Sequence, residues 1–168
     1  MEDQAPPAQL PVVVYTPGMV VRGRATLGRI GRLSDLLNQT SLGFLGLADA
    51  EGRAPGADAW APLGAHVSVN KDEILFTYAT QGTGPTGMAG MRVEKFPVAV
   101  GLYLGDYRLQ GSLYLLDRVP WEDLLSGLRE RFIPLTDVAI GYLGSDVAPT
   151  TVNFVAVNKD RISLLSEV

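Results

Sequence analysis

The chain contains no cysteine, which excludes disulfides, thiolate nucleophiles and cysteine-ligated zinc. It has a single histidine, His66, so neither a multi-histidine metal site nor a histidine-based triad in each half can be built. No apolar run approaches the roughly 18 residues of a membrane-spanning helix. The opening Met1-Glu2-Asp3-Gln4 lacks the basic and apolar regions of a secretory signal, and cytoplasm is the expected compartment. A basic excess is also missing. Residues 1–80 carry six Lys/Arg against eight Asp/Glu, and residues 81–168 carry eight against ten. Neither half is a module that grips nucleic acid mainly by neutralising phosphates. Gly28 to Gly31 lacks the G-K-[ST] of a phosphate cradle, and Asn70-Lys71-Asp72-Glu73 sets its acids at the wrong spacing for guanine recognition.

What the chain does have is an internal echo. Phe44-Leu45-Gly46-Leu47-Ala48-Asp49-Ala50 returns 88 positions later as Phe132-Ile133-Pro134-Leu135-Thr136-Asp137-Val138. Asp35-Leu36-Leu37 and Asp123-Leu124-Leu125 keep that offset, as do Gly23 and Gly111 and the pair Val69-Asn70-Lys71-Asp72 and Val157-Asn158-Lys159-Asp160. Such self-similarity predicts one structural unit written twice. Units of 75–85 residues sit near the lower size limit for independent stability, so packing on each other or on partners is expected.

In chain order, residues 1–11 carry three prolines and read as a flexible leader. Val12 to Tyr15 and Val20 to Leu27 read as strands joined at Pro17-Gly18, with Gly23 marking a bend or close backbone approach. Val98 to Tyr103 and Tyr107 to Leu115 repeat them, Tyr107, Leu109, Leu113 and Leu115 falling on one face. A short helix is expected next in each copy. In the second, Pro120 starts it and Trp121, Leu124, Leu125 and Leu128 form its apolar face; in the first, Ser34 is the candidate N-cap. Phe44 to Ala50 is the third strand, followed by a Gly/Ala/Pro-rich excursion from Glu51 to Leu63. A strand pair then turns at Asn70-Lys71-Asp72, with its counterpart at Asn158-Lys159-Asp160. The glycines between 79 and 95 predict a linker.

The expected architecture is therefore mainly β (α+β): a flexible leader over 1–11, five-stranded small barrels over 12–78 and 96–168, and a Gly-rich linker over 79–95. In each barrel a short helix is inserted between the second and third strands. Closure into barrels removes exposed edges.

This order resembles the Sm-like small β-barrel, an SH3-like fold. Val12–Gly23 with Phe44–Glu51, and Val98–Gly111 with Phe132–Asp137, resemble its first motif; Val67–Tyr78 and Val155–Leu165 resemble its second. The resemblance implies RNA contacts before the third strand and in the second-motif turn. Here those places hold Phe44 and Phe132, and Asn70-Lys71 and Asn158-Lys159, which departs from the family's base-binding pairs. The inserted helix departs too. The segment Arg32 to Asn38 also resembles one in uncharacterised bacterial proteins, which implies no function.

No reactive constellation emerges, no cofactor is implied, and an enzyme is not expected. Asp49 and Asp137 read as turn-fixing residues, and His66 as a strand-packing one. The expected role is that of a non-enzymatic binding or scaffold protein, its partner another protein or a second copy of itself. The alternative is nucleic-acid or anion binding. Arg22, Arg24, Arg29 and Arg32 fall in an acid-free window of eleven residues, and with Lys71 they are the candidate partner or anion contacts.

Overall fold

The structure, a computed structural model, describes residues 6–28, 31–81 and 95–168. Its strands are β1 (Gln9–Tyr15), β2 (Val20–Thr26), β3 (Phe44–Arg53), β4 (Ala61–Asn70), β5 (Phe76–Ala79), β6 (Phe96–Leu104), β7 (Tyr107–Leu115), β8 (Phe132–Tyr142), β9 (Thr150–Asn158) and β10 (Leu164–Glu167), with one α-helix, α1 (Leu33–Asn38). All ten strands form one antiparallel sheet in the order β10-β6-β7-β8-β9-β5-β1-β2-β3-β4. The first five strands and the last five are arranged alike, and the two sets meet where β5 pairs with β9.

The chain is mainly β, as the alternation and β-branched runs predict, but the sheet is open. Closing the first set on itself would need β5 to bond β4, and β5 instead offers its second edge to β9. The same contact occupies the β9 edge that β10 would need. One closing edge in each set is thus taken by the other set.

Between β2 and β3, Arg22 faces Glu51 and Arg24 faces Ala48, so Asp49 is an extra residue in β3. Between β7 and β8, Gln110 faces Ala139 and Ser112 faces Thr136, which makes Asp137 the extra residue in β8. Both aspartates have positive φ, 48° and 52°. They are the left-handed residues of β-bulges inside strands rather than strand-end turn residues, a conformation that Asp tolerates better than most residues. Facing each bulge is a glycine. A Cβ on Gly23 would lie 3.1 Å from the Ala48 carbonyl oxygen, and one on Gly111 would lie 2.7 Å from that of Thr136. The close approach expected at these glycines is present at both.

Several boundaries move. Residues 9–11, expected in the leader, belong to β1 and pair with β2 through Gln9↔Thr26, Leu10↔Ala25 and Pro11↔Arg24. The β3–β4 hairpin extends into the expected excursion, leaving residues 54–60 as its connection. The linker expected over 79–95 begins as the end of β5, and its residues 82–94 lie outside the described residues.

Leu33, Leu36 and Leu37 of α1 are buried with Val12, Val14, Leu45 and Leu47 in one apolar cluster. Arg32 takes the N-cap position and Ser34 lies inside the helix. The expected second helix is a 3₁₀ turn at Trp121–Asp123 followed by further turns. Its backbone bonds mix spans, Leu124 to Trp121 and Leu128 to Leu125 over three residues and Gly127 to Asp123 over four. Gly127 sits where an α-helix would need a residue of good propensity. Leu124 is nevertheless buried in the second cluster, with Trp121, Leu125 and Leu128 packed against it. We expect Leu36→Ala and Leu124→Ala each to lower stability by about 2–4 kcal/mol, as large-to-small core changes do. Wild-type-like urea midpoints for both variants would show that these segments are not part of the core.

Candidate functional site: the junction and the open sheet edges

Of the sequence-predicted cationic residues, Arg22 and Arg24 are engaged with acids and Lys71 with backbone carbonyls. Arg22 donates to Glu51 at 2.6 Å and lies over the Trp60 ring at 4.3 Å. Arg24 is ion-paired with Asp49. Arg32 is exposed at the start of α1, and Arg29 lies outside the described residues. Lys71 is turned inward and is only 2% exposed. Its Nζ donates to the carbonyl oxygens of Leu36 at 2.8 Å and Gln39 at 3.2 Å. Burial, and secondarily the Arg131 charge, hold its pKa below the ordinary lysine value. These bonds satisfy carbonyls at the C-terminal end of α1 that no helical N–H can reach. Lys159 likewise donates to the Leu128 carbonyl.

The two Asn-Lys-Asp segments form tight connections, as their composition predicts. Each is a 3₁₀ turn in which the asparagine side chain accepts from the aspartate N–H, Asn70 from Asp72 at 3.0 Å and Asn158 from Asp160 at 3.1 Å. His66 is exposed on β4 opposite Ala48, not packed. Among the described residues no cluster of three His, Asp or Glu could hold a metal ion, and no helix is long and apolar enough to cross a membrane.

Among the described residues, a dense set of polar contacts gathers at the β5–β9 junction. Phe76 pairs with Val157 and Thr77 with Ala156. The Asn158 N–H donates to the Leu75 carbonyl at 2.9 Å, and its side chain donates to the Ile74 carbonyl at 2.9 Å. Asn38, at the end of α1, both donates to the Phe132 carbonyl at 3.0 Å and accepts from the Phe132 N–H at 2.8 Å. Outside these, Arg131 pairs with Asp72 at 2.5 Å and Arg161 with Glu73 at 2.9 Å. Arg161 also donates through Nε to the Asp72 carbonyl at 2.7 Å. The strand pairing is short, and the side chains around it extend the contact.

An aromatic group backs the junction. Tyr15 stacks on Phe76 with centroids 4.4 Å apart, and Tyr107 meets both rings edge-on. Burial, followed by the neighbouring Tyr15, pushes the Tyr107 phenol up to about 12; Tyr78 is raised for the same first reason. A phenol whose folded pKa lies above its unfolded value of about 10 favours folding below that pH. That contribution falls as pH rises from 10 towards 12. The Tyr107 hydroxyl is buried without a hydrogen-bond partner among the described residues. Tyr107→Phe should therefore keep its neutral-pH stability and lose less of it between pH 10 and 12, by on the order of 2 kcal/mol. Parallel alkaline melts of the two proteins would disprove this assignment.

At the two ends of the sheet the same residue types stand uncovered. The outer edges of β4 and β10 pair with no strand among the described residues. Phe132 at the junction is 0% exposed, while Phe44, its counterpart 88 positions earlier, is 58% exposed beside the β4 edge. Phe76 in β5 is 0% exposed, and its counterpart Leu164 in β10 is 52% exposed. The sequence contains both phenylalanines in matching contexts, but only the topology distinguishes their surroundings. Set against known proteins, the chain matches no family model, no curated protein and no solved structure.

Proposed function

We propose that this protein is a non-enzymatic binding and assembly module, two copies of one small Sm-like β unit joined edge to edge, whose open sheet edges take up strands of a protein partner. The observation that carries the reading is the contrast between buried Phe132 and exposed Phe44. The chain covers this edge once, with a strand and a helix end of its other half, and among the described residues no strand pairs with its equivalent. A row of unpaired backbone groups flanked by an exposed aromatic ring is a template for strand addition. Neither edge strand carries a lysine to discourage pairing, although Pro62 stands near the start of β4. Anion binding by Arg22, Arg24, Arg29, Arg32 and Lys71 has less support, since Arg22 and Arg24 are neutralised by acids and Lys71 faces inward.

Amide hydrogen exchange tests the edge reading. A peptide with the sequence of residues 162–168 is titrated onto the protein, and exchange is followed across residues 66–70. Slowed exchange there, whether caused by the peptide or already present and rising with protein concentration, supports strand uptake. Rapid exchange unaffected by either would remove the proposal.

A further inference from the structure

We infer that the strand taken up is that of a second copy, the β10 edge of one chain pairing antiparallel with the β4 edge of the next in the register Leu164↔Val69 and Leu165↔Ser68. This deepens the edge-binding reading of the preceding subsection and rests on it. The register is that of the internal junction, Phe76↔Val157 and Thr77↔Ala156, with each residue replaced by its counterpart 88 positions away.

Side chains around the two edges favour the same fit. Leu164 would take the place of Phe76, and Phe44 that of Phe132, so the contact would cover two side chains now more than half exposed. Asn70 stands where Asn158 stands internally. Its side-chain oxygen already accepts from the Asp72 N–H, which leaves its amide to donate to the Ile162 carbonyl of the next copy, as Asn158 donates to Ile74. Glu73 holds the place of Arg161, and Arg161 that of Glu73, so the charges are of opposite sign across the contact. Each is already paired with the other within its own chain, however, and the contact gains no separate ion pair there. Several internal contacts have no equivalent. Gly43 replaces Arg131, whose ion pair with Asp72 is lost, and Ser126 replaces Asn38, which holds the Phe132 backbone at both N–H and carbonyl. Glu73 in the place of Arg161 has no donor for the Asp160 carbonyl. The contact between copies is therefore weaker than the internal one.

The two edges differ, so the contact is heterologous. Repetition of a heterologous contact gives a ring if the rotation closes and a filament if it does not. An isologous β4–β4 or β10–β10 dimer reproduces none of the internal pairing.

The absence of cysteine gives the test a clean background. Ser68→Cys and Leu165→Cys are introduced together, the protein is oxidised, and products are separated without reductant. Directly opposed antiparallel positions are close enough to bridge. The expected result is a reductant-sensitive series of covalent multimers from the double variant. The control pair His66→Cys and Leu165→Cys, two residues out of register, should give markedly less. Wild-type protein should sediment with a concentration-dependent mass of at least twice the 18.0 kDa chain, and Phe44→Asp should lower it towards the monomer. Efficient dimers from Leu165→Cys alone would show isologous pairing and overturn the inference. So would a wild-type monomer up to submillimolar concentration with no multimers from the double variant. In that case peptide-induced protection of β4 would keep the edge-binding reading alive, while its absence would remove both.

Discussion

Phe132→Ala should be the most damaging of the aromatic truncations, lowering stability by about 3–5 kcal/mol. The ring is fully buried in the apolar cluster formed by the first half of the chain, although it is carried by β8 of the second half. Removing it leaves a cavity in that cluster, and slackens the strand whose backbone Asn38 holds at both N–H and carbonyl. Phe44→Ala is the matched comparison. Its ring is 58% exposed, and in dilute protein the change should cost less than about 1 kcal/mol. Chemical denaturation at low micromolar concentration decides the matter. Equal losses would mean that the two edges are in the same environment and that the internal junction is not the cause of the difference.

Gly111→Ala should cost about 1–3 kcal/mol, and Gly111→Val more, because the added carbon meets backbone rather than a movable side chain. At 2.7 Å from the Thr136 carbonyl oxygen and 3.0 Å from Leu135 Cγ, it can be accommodated only by separating β7 from β8 at the Asp137 bulge. Gly23→Ala meets the Ala48 carbonyl at 3.1 Å and Leu47 Cβ at 3.2 Å, so it should be the milder of the pair. Gly46→Ala supplies the control, since a Cβ there has nothing within 4 Å and should change stability by less than about 0.5 kcal/mol. If Gly111→Ala denatures at the same urea concentration as Gly46→Ala, the close approach does not matter to the fold.

Features set by local chemistry were legible in the sequence. The bounds of β7 follow from alternation, the two tight turns from Asn and Asp, and the close approaches from Gly23 and Gly111. Composition misled where tertiary pairing overrode it. Gln9, Leu10 and Pro11 look like a leader until β2 is laid beside them. The Gly/Ala/Pro-rich stretch after Ala50 looks like a loop until its flanks are seen to extend the β3–β4 hairpin. The periodicity from Trp121 to Leu128 marks a buried face correctly but does not determine the type of helix, because a 3₁₀ turn with Gly127 behind it presents much the same side chains. The junction was out of reach for a different reason. No local pattern tells which of two five-strand edges will be used, so Phe44 and Phe132 look alike until the strand order is known.

The inward-facing lysines have a consequence for covalent chemistry. The chain has three lysines, Lys71, Lys95 and Lys159. Two are engaged with backbone carbonyls beneath short helical segments, and Lys95 stands exposed just before β6. Acylating reagents or acetyl-transferring enzymes that meet the folded protein therefore find Lys95 open, Lys159 half-buried and Lys71 buried. A neutral acyl-lysine at 71 has no ammonium to give to the Leu36 and Gln39 carbonyls, and it adds bulk where α1 now lies. Lys71 can be modified only after α1 has lifted away, and once modified it resists the helix's return. The ratio of label at Lys71 to label at Lys95 would thus record how often that helix opens, without any change to the sequence.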